Sequence, residues 1–472
     1  MTPIIVSILA VCFLLIATES KTNVNKAAVA IFAGTVGWVL YVGYGTDFVM
    51  SRHATDYVRF LDGAESTGIH VKEFIARNVF LKHVGHASEI VLFLLATMTI
   101  VEILSNNGCF DFISQLLKTR SSKKILWRLA VVTFIISANL DNLTTTVMML
   151  TIMHKIIPSR RYRMIYGSAI VLAANCGGAL TVIGAPMGLV LWNQGAVTPT
   201  DYSLSLLIPC LIAWALPTYW VGRMLPERMQ TEWIVMPYRG DDTNLNVWQR
   251  LLMLFIGIGG LWFIPSFNKI TRLSPFLGAL CVLSVLWVVN ELFNHRLMNE
   301  EQMIQRRMPR VLQYGVLQMM LFVMGIMLAV GVLQETGFLQ RFTLLLDRGM
   351  QNVWLLGAVG GLVSIILDNF ATGMGMLSLH AVEDVHASAT LSAFAQDGEY
   401  WKIVGYTSAV AGNILAIGSM SGLALVKSER IRVGWYLRNI GWKALVGTVL
   451  GCLLYTSPSP RDRTRSRMPS SA

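Results

Sequence analysis

Two aspartates sit inside long apolar stretches, Asp141 within residues 125–156 and Asp368 within residues 353–379. A charged carboxylate at the bilayer centre costs about 2.5–3.5 kcal/mol on insertion scales, so its presence usually marks a site. In dry surroundings a carboxyl keeps its proton until a cation replaces it, so the pair points to exchange of a proton for a cation. Each aspartate has similar polar company. Ser137, Asn142, Thr144 and Thr145 accompany the first, and Ser364, Asn369 and Thr372 accompany the second. Hydroxyl oxygens, with carbonyls freed where helices break, are hard ligands that suit a sodium ion. Two plainer alternatives stand beside this. Asp or Asn at the start of a half-helix can act only as an N-cap, and hydroxyls can bond back to their own helix.

Two further segments carry polar, glycine-rich interruptions. AANCGGALTVIGAPMG (173–188) supplies Asn175, Gly177, Gly178, Thr181 and Gly184; AGNILAIGSMSG (411–422) supplies Gly412, Asn413, Gly418, Ser419 and Ser421. Glycine lets backbone turn and approach a ligand, or lets helices pack tightly. His83, His86 and Glu89 stand where an apolar run begins. They suit proton entry or pH sensing; the plainer reading is interfacial polarity. The cysteines at 12, 109, 176, 210, 281 and 452 form no CxxC, and no HExxH, Walker or Rossmann pattern occurs. They read as small packing residues, with no cofactor and no enzymatic group implied.

The positioning elements are membrane helices. Of 472 residues 54% are hydrophobic and only 14% charged, and the mean hydropathy is +0.56. Soluble domains of this total length would need about 25% charged residues. Apolar runs fall at 3–18, 27–45, 88–104, 125–156, 164–192, 204–225, 248–265, 275–293, 311–333, 353–379, 401–426 and 435–454. Many approach the ~20 residues that span a bilayer. The net charge is +11, of which residues 455–472 contribute +3, and the other basic residues sit in short loops between these runs, which orients a membrane protein and argues against nucleic-acid binding.

Lysines and arginines gather at both ends of 125–156: Lys118, Arg120, Lys123, Lys124 and Arg128 around its start (118–128), Lys155, Arg160, Arg161 and Arg163 around its end (155–163). Both ends are therefore expected inside, which makes the segment a re-entrant hairpin with SANLDN at its tip. Lys21 and Lys26 put the first loop inside, and so do Arg296, Arg306, Arg307, Arg310 and then Lys427, Arg430, Arg432, Arg438 for theirs. Segment 353–379 then has both ends outside. The expectation is ten full spans, two hairpins and both termini outside, with no basic residue near either hairpin tip. Trp38, Tyr41, Trp192, Tyr219, Trp220, Trp401, Trp435 and Tyr436 read as interface anchors.

The halves repeat. Leu92, Phe93, Met98, Val101, Leu104 and Gly108 recur 229 residues on; Ser137, Leu140, Asp141, Asn142, Thr145, Met149 and Leu150 recur 227 on; Gly178, Ile183, Gly184, Gly188, Leu189 and Leu191 recur 234 on. Three blocks in order mark an internal repeat. Five spans per copy invert the second copy, the architecture of secondary transporters whose sites lie at mid-membrane between broken helices. The units are repeat 1 (1–225), a cytoplasmic linker (226–247) and repeat 2 (248–454). The hairpins lie at about 125–156 and 353–379, the broken helices at about 164–192 and 401–426. Residues 455–472, YTSPSPRDRTRSRMPSSA, change character and read as a disordered, non-native tail.

At LFLLATMTIVEIL, ISANLDNLTTTVMML, AANCGGALTVIG, SIILDNF and GNILAIGS the sequence resembles the NhaD-type bacterial sodium/proton antiporters of the ion-transporter superfamily, over roughly residues 84–452. LDNLTTT is the most specific piece. The resemblance implies exchange of Na+ (or Li+) for H+, and gives roles at Asp141, Thr144, Ser137, Asp368, Asn369 and Ser364, with His83 near a family histidine. It also implies a hairpin-bearing half that moves against a homodimeric scaffold. Two motifs depart from the family: Ala185 follows the first IG where an aspartate is usual, and DNFATG replaces DNVP.

The expectation is an all-α, multi-pass transporter of the bacterial cytoplasmic membrane, exchanging Na+ for H+ at Asp141 and Asp368. The alternatives are a Na+-coupled symporter of a carboxylate or other anion, and a non-transporting membrane sensor or scaffold.

Overall fold

The computed structural model describes residues 2–22, 24–110, 112–117, 119, 121–228, 245–294, 314–349, 352–383 and 393–455. These residues are almost wholly helical. Most of the linker, the loop with Arg296, Arg306, Arg307 and Arg310, and the tail after Tyr455 lie outside the described residues.

The first half contains α1 (Thr2–Ala17), α2 (Lys26–Gly43), α3 (Gly45–Arg52), α4 (Ala54–Leu61) and α5 (Gly68–Asn106), then α6 (Ser122–Ser137), α7 (Asn142–Ile156), α8 (Arg160–Leu180), α9 (Pro186–Asn193) and α10 (Pro199–Gly222). The second contains α11 (Val247–Thr271), α12 (Pro275–Asn294), α13 (Tyr314–Glu335), α14 (Phe338–Gly349), α15 (Val353–Ile366), α16 (Asn369–Leu377), α17 (Glu399–Ala411), α18 (Met420–Glu429) and α19 (433–455). Among the described residues six helices are long and apolar enough to cross a membrane: α2, α5, α10, α11, α12 and most of α13. The protein is a polytopic membrane protein. Prolines at the first helical turn start α9 and α10 where a missing N–H costs nothing.

Residues 46–82, read from sequence as a mixed polar stretch, are largely helical instead. Val71, Phe74, Ile75 and Val79 are buried at helical spacing, so α5 begins twenty residues before its apolar core. The aromatic anchors also differ from expectation. Trp38, Tyr41, Trp192, Trp401 and Tyr436 are buried, while Tyr219 is exposed. The indole of Trp401 donates to the carbonyls of Phe394 and Ala395, so it serves internal packing.

Helices α6, α7, α15 and α16 are roughly 24, 22, 21 and 14 Å long at ~1.5 Å per residue, each short of the ~30 Å hydrocarbon core. The Tyr166 hydroxyl of α8 donates to the Ser122 carbonyl at the start of α6, at 2.8 Å. The end of α7 leads directly into Arg160, and Arg163 bonds the carbonyl of Pro158 at 2.7 Å. Both ends of α6–α7 therefore meet the same end of α8. In the second half Gly357 of α15 packs on Ile403, and Met376 of α16 accepts the Tyr400 hydroxyl at 2.7 Å. Both ends of α15–α16 meet the start of α17.

Segments α8–α9 and α17–α18 are each broken mid-way, at residues 181–185 and 412–419. Ala196, just past α9, accepts from Asp397 N, just before α17, at 2.9 Å. At the opposite end Arg163 of α8 pairs with Glu429 of α18 at 2.9 Å. The two broken segments thus lie side by side and run in opposite directions.

Candidate ion-exchange site

Each acidic tip caps a half-helix. Asp141 precedes α7, and its Oδ2 accepts from Thr144 N at 2.9 Å and from Thr144 Oγ1 at 3.2 Å. Asp368 precedes α16, and its Oδ1 accepts from Phe370 N at 3.0 Å. Backbone N–H groups free at a helix start, and the dipole behind them, favour a carboxylate there. The cap is therefore real, but in each case one oxygen does the capping and the other remains. Both residues are buried, 4% and 3% exposed. Among the described residues Asp141 Oδ1 is buried without a hydrogen-bond partner, and so are the hydroxyls of Thr145 and Thr372, which match across the repeat. Unpaired buried oxygens cost about 1–3 kcal/mol each, so they point to something that fills them.

The serines expected beside the carboxylates do not bond to their own helices. Ser137 Oγ donates to Ala174 O and Ser364 Oγ to Ser408 O, each at 2.7 Å. The same contact recurs at matching positions of the two halves and pins each hairpin to its neighbouring broken helix. Glycine explains the close fit. A Cβ on Gly184 would meet Ser137 O at 2.7 Å, and one on Gly418 would clash with Ser364 O. Gly418→Ala is therefore expected to lower stability by roughly 1–3 kcal/mol, read as thermal unfolding in detergent. Gly375→Ala, where nothing lies within 4 Å of the new Cβ, provides the tolerated control.

The tips converge on one polar chain. Asn142 Nδ2 donates to Asn175 Oδ1 at 3.2 Å. Asn175 Nδ2 donates to Asn413 Oδ1 and to Ser419 Oγ, both at 2.9 Å. Ser421 Oγ donates to Asn142 O at 3.1 Å, and Asn369 N donates to Gly418 O at 2.9 Å. Asp368–Asn369 thus docks directly on the break 412–419, while Asp141–Asn142 reaches it through Asn175 and bonds Ser421 just past it. Thr181 Oγ1 closes its own break by donating to Ala138 O at 2.5 Å and accepting from Gly184 N at 3.1 Å. Gly177 and Gly178 belong to the last turn of α8; Gly178 packs on Asn142, and Gly412 opposes Ser419.

A basic residue does stand at a hairpin tip, contrary to expectation. Lys26, read from sequence as a cytoplasmic loop residue, opens α2 and is buried, 5% exposed, with Nζ 2.5 Å from Asp368 Oδ2. Its ammonium also lies 4.7 Å from the Phe322 ring centroid of α13. Counting loop charges misplaced it, because a lysine that begins an apolar helix looks the same whether it faces water or a carboxylate.

The remaining candidates separate. His83 Nε2 is 3.0 Å from Glu335 Oε1, whose other oxygen lies 2.8 Å from His53 Nε2. This cluster lines a cleft of about 710 Å³ that reaches His86, Met327, Met374 and Ser378. Met374 is on α16, the arm that Asp368 caps. Glu89 faces elsewhere, accepting from Asn193 at 2.8 Å and Ser274 at 3.1 Å. Sequence reasoning missed Glu335 and His53, whose only signal is polarity at helix ends.

The CitMHS family profile, described as citrate transporter, matches residues 2–411. The chain belongs to that family. It is 32% identical over 402 residues, 83% of its length, to sodium/proton antiporter 1 of Arabidopsis thaliana, and spans 65% of that relative's length. Sodium/proton antiporter 2 of the same plant is 30% identical over 79% of this chain and 85% of its own. The Na(+)/H(+) antiporter NhaD of Vibrio parahaemolyticus is 24% identical over 76% of this chain and 87% of its own. The NhaD resemblance read from LDNLTTT and its companion motifs thus extends over most of the chain. The family's description and these relatives' names differ in substrate, so the choice between cation and anion falls to the chemistry at the hairpin tips.

Proposed function

We propose that the protein is a secondary transporter that exchanges Na+ (or Li+) for H+ across a bacterial cytoplasmic membrane, built as two inverted repeats with a re-entrant hairpin in each. The relatives named as sodium/proton antiporters support the cation reading. The antiparallel broken segments, and hairpins whose two ends meet one end of a neighbour, support the architecture. One observation carries the site: Asp141 Oδ1 is a buried carboxylate oxygen with no partner among the described residues, four positions from an equally unpartnered Thr145 hydroxyl. A carboxylate there accepts either a proton or a sodium ion, and the two compete. Alternation arises because only one occupant fits at a time. Ser137, Thr144 and the carbonyls at the breaks complete a hard-oxygen surround, with Ser364, Asn369 and Thr372 in the matching positions. His83 and His86 line a cleft that suits proton entry. A homodimer supplies the scaffold against which the hairpins move.

The family description favours a second reading, Na+-coupled uptake of citrate or a related carboxylate. Lys26 would be the natural anion ligand, yet its charge is already matched by Asp368. Purified protein in liposomes decides between the two. The expected result is a Na+-dependent pH change in the lumen. Citrate uptake driven by a sodium gradient, without that pH change, would reject the antiport reading.

A further inference from the structure

We propose that Lys26 is the resident cation of the second hairpin: its ammonium holds Asp368 against the transported ion, so Na+ loads at Asp141 alone and the two halves are functionally unequal. The proposal rests on the exchange reading above and says which of its two carboxylates does the exchanging.

Burial requires the pairing. Lys26 and Asp368 side chains are 6% and 2% exposed, and either charge alone in such surroundings would carry a desolvation penalty that only an opposite charge offsets. The pair is compact, with Nζ 2.5 Å from Oδ2, and Asp368 Oδ1 is taken by the cap on Phe370. Both oxygens of Asp368 are thus engaged. Asp141 differs at the equivalent position of the first hairpin. Its Oδ2 is engaged by Thr144, its Oδ1 by nothing among the described residues, and no basic side chain is bonded to it there. Repeated sequence has produced two helix-capping aspartates of opposite availability.

The lysine reaches its partner from outside the hairpin. It opens α2, which packs closely along α13; a Cβ on Gly325 would strike the backbone at Ala30 and Ile31, and Phe322 of α13 sits beneath the ammonium. Helix α12, which packs on α5 of the first half as α2 packs on α13 of the second, opens with Pro275 and contains no lysine or arginine, so the device is not duplicated. A tethered ammonium keeps the second tip electrically matched with no ion bound. It is also covalently fixed to α2, so it cannot be carried across with the cargo.

Equilibrium binding of radioactive sodium to the purified full chain tests this, alongside the liposome assay. The wild type is expected to bind about one Na+ per chain, Lys26→Gln about two because Asp368 is vacated, and Lys26→Arg about one. If Lys26→Gln fails to fold, the double variant Lys26→Gln/Asp368→Asn, which leaves no lone charge, is expected to keep about one Na+. A wild type that binds two ions, a Lys26→Gln that still binds one, or a double variant that binds none overturns the proposal. In each of those cases a sodium-dependent pH change in the wild type leaves the exchange reading standing. A wild type that neither binds Na+ nor moves protons overturns both.

Discussion

Asp141→Asn is expected to reduce Na+-induced proton movement in everted membrane vesicles to the level of vesicles without the protein, while leaving the folded chain intact. The substitution separates the two jobs of this side chain. Asparagine caps a helix about as well as aspartate, so Thr144 N keeps an acceptor and α7 keeps its start. What disappears is the negative charge and the proton-accepting oxygen at Oδ1, the atom that has no protein partner among the described residues. Melting temperature in detergent should therefore change little while exchange is lost. Exchange like the wild type's in this variant would remove Asp141 from the site. Asp368→Asn is expected to behave differently, because it strands the Lys26 ammonium in a buried setting. Breaking a buried pair by removing one partner costs about 3–5 kcal/mol, so here destabilisation accompanies any loss of transport, and Lys26→Gln in the same chain should restore stability.

That contrast marks what the sequence made legible. Helical membrane class, both acidic tips and both broken helices followed from composition and from charged or glycine-rich interruptions in apolar runs. The repeat was legible as spacing, and its contacts recur with it: Ser137 to Ala174 and Ser364 to Ser408, Gly184 against Ser137 and Gly418 against Ser364. Both members of each pair lie in the same repeat, so the repeated sequence preserves them. Lys26 and Asp368 are 342 positions apart, and no local pattern encodes which buried charge meets which. The same holds for Glu335 with His53 and His83. Aromatic residues failed for a related reason. A Trp or Tyr near a helix end suits both a lipid interface and a packed core, and only the neighbouring helices decide.

Asn175→Ala is expected to have the second-largest effect, on stability and exchange together. Asn175 is fully buried and bonds three residues from two other segments: Asn142 behind the first tip, and Asn413 and Ser419 within the second break. Truncation leaves Asn142 Nδ2 and Asn413 Oδ1 without these partners, at about 1–3 kcal/mol for each orphaned group. The cavity adds to that loss, since backbone pinned by Ser137 and Ser364 cannot collapse into it. Exchange should fall because Asn142 follows Asp141 directly, so a loosened Asn142 lets the carboxylate drift from the geometry in which Oδ1 is presented. A double-mutant cycle with Asn413→Ala separates linkage from simple packing. Residues that act through one hydrogen-bond chain show interaction energies of about 0.5–3 kcal/mol, whereas independent sites add. Strict additivity in unfolding free energy, with exchange close to wild type in Asn175→Ala, would mean that the two hairpin tips are held by their own broken helices alone and that the asparagine chain between them is incidental.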